Sequence, residues 1–210
     1  MDVTYDVPDG VSCVGTIITF HGGAFTGGST AWDVEQNKLL ASQGFRVHQV
    51  WFPTTTISQF LIWARAYTHL PDQGVPTYCL GRSSGGYLAK RFFDMHKDKV
   101  RAAVYIAPVL DPAARARKVP KFRARTNRFF DIPPSTFAQW DERREMLLLA
   151  TNDKNVPLEC YSEQQRRSAI FLGPSSHVAM CTCTDQALAE TIRSFLFSNS
   201  GTGRKRKHSS

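Results

Sequence analysis

No apolar run in the 210 residues approaches the roughly 18 needed to cross a bilayer, so no membrane span is expected. The opening stretch MDVTYDVPDG has acids but no basic region ahead of a hydrophobic one, which argues against a secretory signal. Cysteines are few and odd in number, at five. That is a poor basis for a disulfide framework and fits reduced thiols in a cytoplasmic or nuclear setting. No internal repeat is visible, and the length suits one domain with one core. Acids are missing altogether from residues 115–128 (RARKVPKFRARTNR), which carry seven basic side chains, and four more stand in RKRK at 204–207. Taking away these eleven charges turns the net +8 into −3, so the basicity is local. A nucleic-acid surface would spread its basic residues over a folded face interleaved with aromatics, and none is expected here.

Strand-length apolar runs alternate with segments of helical period. VGTIITF (14–20), FRVHQVWF (45–52), PTYCLG (76–81), VRAAVYIAPVL (100–110), REMLLLAT (144–151) and SAIFLG (168–173) read as strands. Residues 33–44, 57–70, 84–97 and 185–197 read as helices. Nearly unbroken apolar strands separated by helices predict an α/β fold: a mainly parallel sheet of six to seven strands covered on both faces. In such sheets the chemistry gathers at the carboxyl ends of the strands.

The unusual residues of this chain lie there. Gly81-Arg82-Ser83-Ser84-Gly85 fits G-x-S-x-G between an apolar strand and a helix. A sharp strand-to-helix turn forces its central residue, Ser83, into strained angles and lifts the side chain clear, while its neighbours two positions away must be small. Ser84 would begin the helix, where its backbone N–H is a free donor. The run ITFHGGAFTGG places a second glycine-rich loop at a strand end. Acyl transfer needs donors for a developing oxyanion, and the N–H groups of Gly22, Gly23 and Ala24 together with that of Ser84 could supply them. For each motif the competing reading is a glycine turn built for tight packing.

HGGAF followed by GRSSGG resembles the α/β-hydrolase superfamily, specifically esterases and lipases with an HGG-type oxyanion loop, and is similar to formamidase and prolyl-peptidase-like relatives. The resemblance covers about residues 14–197, with TYDV supplying a short strand ahead of it. It implies a single-domain hydrolase fold with a serine, an acid and a histidine in that chain order. The acid falls on Asp153 in LLLATNDKNVP and the histidine on His177 in IFLGPSSHVAM. His177 would take the proton from Ser83, and Asp153 would fix its tautomer. Asp111 in APVLDP is an alternative acid. His177, Cys181 and Cys183 with Cys160 could instead be read as a zinc set, but C-x-C is poor spacing for zinc.

The resemblance thus implies a serine hydrolase acting on a small-molecule ester through an acyl-enzyme, with formamides or small peptides as second candidates and no metal or organic cofactor. The rival is a non-catalytic receptor or scaffold on the same fold. Domain 1–197 would carry the activity. Residues 111–143 would form a small basic lid offering Phe122, Phe129, Phe130, Phe137 and Trp140 as apolar contacts. Residues 198–210 would be a disordered tail whose GRKRK resembles a nuclear import signal. The basic segment 115–128 is either a solvated lid surface or an attractor of a negatively charged substrate.

Overall fold

The apolar runs pair into one seven-stranded sheet in the computed structural model, which describes residues 2–25, 27–52, 74–122 and 140–200. The strands are β1 (Val3–Tyr5), β2 (Gly15–Phe20), β3 (Phe45–Val50), β4 (Thr77–Arg82), β5 (Val100–Ile106), β6 (Glu145–Leu149) and β7 (Ile170–Phe171). Their order across the sheet is β1-β3-β2-β4-β5-β6-β7. Only β1 runs antiparallel, against β3; the other pairings are parallel. Among the described residues the helices are α1 (Val34–Ser42), α2 (Ser84–Met95), α3 (Pro112–Lys118), α4 (Glu163–Ser168), α5 (His177–Cys181) and α6 (Gln186–Ser198). The helix expected over 57–70 lies outside the described residues.

Successive strand residues go to opposite faces, and both faces are covered. Ile18, Cys79, Tyr105 and Leu147 pack with Leu88, Phe92 and Phe93 of α2. Ile17, Tyr78, Val104 and Leu148 pack on the other side with Leu40 of α1 and with Leu188, Ile192 and Leu196 of α6. Polar anchors tie helix to sheet within the first layer. Lys90 of α2, fully buried, lies 3.0 Å from a carboxylate oxygen of Glu145 on β6 and 2.9 Å from Asp94. Tyr105 donates to the same Glu145 carboxylate at 3.1 Å.

Trp140, expected among the apolar contacts of the lid, is buried, with its ring 5.7 Å from Tyr105. Helix α6 includes Ser198, and Ser200 is buried. Residues 201–210, with the RKRK run, and residues 123–139 of the expected lid, with Phe129, Phe130 and Phe137, lie outside the described residues.

The start of α2 sits so close to the end of β2 that a side chain at Gly85 has no room. A Cβ there would lie 2.2 Å from the carbonyl oxygen of Phe20 and 2.4 Å from that of His21. Both contacts are backbone, so relief requires moving the helix or the strand. Gly85→Ala should destabilise by about 3 kcal/mol, which lowers Tm by roughly 6–12 °C in a domain of this size. Thermal unfolding followed by circular dichroism checks this, and a variant melting within about 2 °C of the parent would mean that the helix shifts freely.

Candidate active site

Strand β4 is buried along its length and passes directly into α2 through Ser83. Ser83 has φ 50° and ψ −120°, a conformation that costs a residue with a Cβ about 1–2 kcal/mol. Three backbone bonds hold it there. Its N–H donates to the carbonyl of Ile106 at 3.0 Å, and its own carbonyl accepts from Gly86 at 3.0 Å and Val109 at 2.8 Å. The hydroxyl thereby stands off the turn, with Oγ 2.8 Å from Nε2 of His177.

His177 is the first residue of α5, which Ser176 caps by accepting from the N–H of Ala179. Its Nδ1 lies 2.7 Å from Oδ2 of Asp153. A carboxylate there can only accept, so Nδ1 carries the proton and Nε2 is left to accept from Ser83. Asp153 sits in the loop after β6, and its Oδ1 accepts from the N–H groups of Asn155 at 2.7 Å and Val156 at 2.9 Å. Burial pushes the Asp153 carboxyl up, but the bond to His177, its charge and the two backbone donors outweigh this and hold it below the usual carboxylate range. Ser83, Asp153 and His177 are all less than a tenth exposed, so these bonds act in a low dielectric. Asp111 is used differently: it caps α3, accepting from the N–H of Ala114 at 2.8 Å.

The HGG loop passes directly against the serine. A Cβ on Gly22 would lie 3.2 Å from Cβ of Ser83. Gly23 has φ 137°, and a Cβ there would meet the carbonyl oxygen of Gly27 at 1.9 Å, so only glycine fits. Ala24 and Phe25 follow with φ 52° and 66°. The ring of His21 stacks on Phe52 at 4.0 Å, and its Nδ1–H donates to the carbonyl of Gly22 at 2.6 Å. Burial lowers the His21 pKa and favours the neutral ring. Gly22, Gly23 and Ala24 line a cavity of about 810 Å³ together with Ser83 and His177. Ser84, the next residue after Ser83, is 1% exposed and is the first residue of α2. In that position its N–H has no acceptor within the helix and lies at the positive end of the helix dipole.

Several contributors were not evident from sequence. Asp33, at the start of the expected helix 33–44, makes no side-chain cap bond; its carboxylate lies 3.5 Å from Nη1 of Arg82. Arg82, fully buried behind the turn, also donates to Gln36 and, at 3.1 Å, to Asn37. An arginine between Gly81 and Ser83 at the end of an apolar strand was the available signal. Trp32, Val178 and Cys181 also line the cavity, as does Phe122, which the sequence offered as an apolar contact. The cysteines of the considered zinc set are dispersed. Cys160 belongs to one core layer and Cys183 packs against the other. Cys181 has its Sγ 3.9 Å from Nε2 of His177, and burial pushes its thiol up to about 12. No group of three His, Cys, Asp or Glu suited to a metal ion occurs among the described residues.

The chain matches no protein-family model and no curated protein. It is similar to solved structures. A butyrate-bound thermophilic esterase from Thermogutta terrifontis superposes with a TM-score of 0.64 at 17% identity, covering 94% of this chain and 88% of that one. Est1E from Butyrivibrio proteoclasticus with bound ferulic acid gives 0.60 at 16%, covering 95% and 94%. A serine hydrolase without a lid from Xanthomonas campestris gives 0.59 at 14%, covering 97% and 90%. At these identities the likeness establishes the fold.

Proposed function

We propose that this chain, which has the α/β-hydrolase fold, is a serine hydrolase that cleaves a carboxylic ester through an acyl-enzyme on Ser83. The observation that carries the reading is the unbroken hydrogen-bonded line from Ser83 Oγ through His177 to Asp153, at 2.8 and 2.7 Å. Esterases among the similar structures support it, one with bound butyrate.

In this reading Ser83 Oγ attacks the ester carbonyl carbon as its proton passes to Nε2 of His177. The carbonyl oxygen becomes an oxyanion facing the N–H of Ser84 and the N–H groups of the Gly22–Ala24 loop. Collapse breaks the bond to the alcohol oxygen, which takes the proton from His177. Water then attacks the acyl-serine with His177 as base, and the acid leaves as Ser83 recovers its proton. Asp153, held ionised by its surroundings, stabilises the imidazolium in both halves. The buried triad stands beside a cavity lined in part by Trp32, Phe122 and Val178, which suits a small substrate with an apolar part.

A fluorophosphonate probe should label the folded protein at Ser83, located by peptide mass spectrometry, and the same preparation should hydrolyse short neutral esters. Folded protein that neither takes the label nor turns over an ester would overturn the reading in favour of a ligand-binding role.

A further inference from the structure

Three cations are buried among the described residues: Arg82, Lys90 and Arg115. Two have carboxylates at hand, Asp33 for Arg82 and both Glu145 and Asp94 for Lys90. Arg115, 3% exposed, has no carboxylate within 4.0 Å among the described residues. A buried charge without a counter-charge is costly unless something else answers it.

The surroundings of Arg115 show what is already used and what is left. Its Nε donates to the carbonyl of Asn155 at 2.8 Å. Its guanidinium lies over the ring of Phe122, 3.6 Å from the centroid, in a stacked cation–π contact. These contacts fix the plane and occupy one edge. The Nη1 and Nη2 end of the fork is left without a hydrogen-bond partner among the described residues, and Arg115 lines the same cavity as Ser83 and His177. A second cation is close by: Nζ of Lys121 bonds Oδ1 of Asn155, which lines the cavity, at 2.6 Å. The nearby Asp153 carboxylate offsets part of the charge through space, but its oxygens are engaged by His177 and two backbone N–H groups and make no bond to the fork. Burial lowers the Arg115 pKa to about 10 while Asp153 acts to raise it, so the group is cationic at neutral pH.

We propose that the cavity is built for an ester that also bears a carboxylate, and that the Nη1–Nη2 end of Arg115 binds that carboxylate with two parallel hydrogen bonds. This rests on the serine-hydrolase reading and adds the substrate class. The planar fork matches a carboxylate in two-point contact. Stacking on Phe122 and the bond to Asn155 pre-set the plane, so little rotamer freedom is lost on binding.

The test compares esters matched in length. Monomethyl adipate is set against methyl hexanoate, placing the charge on the acyl side. The butyrate ester of 4-hydroxybenzoate is set against that of 4-hydroxybenzamide, placing it on the leaving side. In the parent protein at least one charged ester should exceed its neutral partner in kcat/KM by about 10- to 100-fold, the range for a hydrogen-bonded charge. Arg115→Gln should collapse that ratio toward one, and Arg115→Lys, which keeps charge but not the fork, should restore part of it. Circular dichroism and fluorophosphonate labelling establish that each variant is folded. Free adipate should bind the parent by calorimetry and not the Arg115→Gln protein. Charged esters no better than neutral ones in both pairs would overturn the proposal, as would adipate binding that survives Arg115→Gln. Should no ester of either kind be turned over, the hydrolase reading falls, and adipate binding by itself decides the anion site, with no binding counting against it.

Discussion

Ser83→Ala should reduce ester turnover by about 10⁴-fold or more, while Ser84→Ala should stay within about tenfold of the parent. The two serines are adjacent but differently placed. Ser83 sits at the positive-φ turn with Oγ on His177, and its loss removes the attacking atom. Ser84 is the first residue of α2, and its hydroxyl is buried with no hydrogen-bond partner among the described residues. Alanine there keeps the backbone N–H assigned to the oxyanion and removes an unsatisfied polar group, which relieves a cost. Steady-state kinetics on a neutral ester, with matched melting curves, separate the two. A dead Ser84 variant beside an active Ser83 variant would put the nucleophile one residue along.

Asp153→Asn should cost up to about 10⁴-fold in kcat. The carboxylate now accepts from His177 Nδ1–H through one oxygen and from two backbone N–H groups through the other. An amide can keep only one set of acceptor contacts. Turned to satisfy the backbone, it presents an NH₂ to His177 and favours the tautomer with its proton on Nε2, which cannot receive the proton of Ser83. The fixed negative charge opposite the imidazolium is lost as well. Asp111→Asn is the control, because asparagine also caps a helix and α3 should survive it. Rates within a few-fold of the parent are expected for that variant. The opposite ranking of the two substitutions would transfer the acid's role to Asp111.

The strands that frame the site were legible because they are buried on both faces and read as unbroken apolar runs. β2 and β4 lie within one residue of the expected bounds. The run 100–110 misled at its end. β5 stops at Ile106 because Ala107 turns to φ 44° and Pro108 follows, so Val109 leaves the sheet to bond the carbonyl of Ser83. The expected strand 168–173 shrank to Ile170–Phe171, while Ser162 and Gln165 close a capping box that starts α4 just before it. That signal was present in the sequence, as was Asp111-Pro112 at the start of α3. The expected site residues were read from their order along the chain after successive strands, as the resemblance implies. Much of the cavity lining was not legible in this way, since Trp32 and Val178 reach it only through the fold; Phe122 and Arg115 fell within the expected lid, but nothing in the spacing singled them out. The basic segment shows the limit plainly: Arg117, Lys118 and Lys121 are exposed, whereas Arg115, in the same run, is buried.

The backbone clamp on Ser83 has a practical consequence. All three bonds that hold the turn are made by main-chain atoms of residue 83, with Ile106, Gly86 and Val109. No side chain at that position is needed to keep the shape, so alanine inherits the same turn and leaves the neighbouring cavity intact. If the proposed ester chemistry holds, Ser83→Ala should therefore act as a trap, a protein that holds an ester without consuming it. Mass spectrometry of small molecules carried through purification by that variant, and absent from the parent, would read the substrate directly.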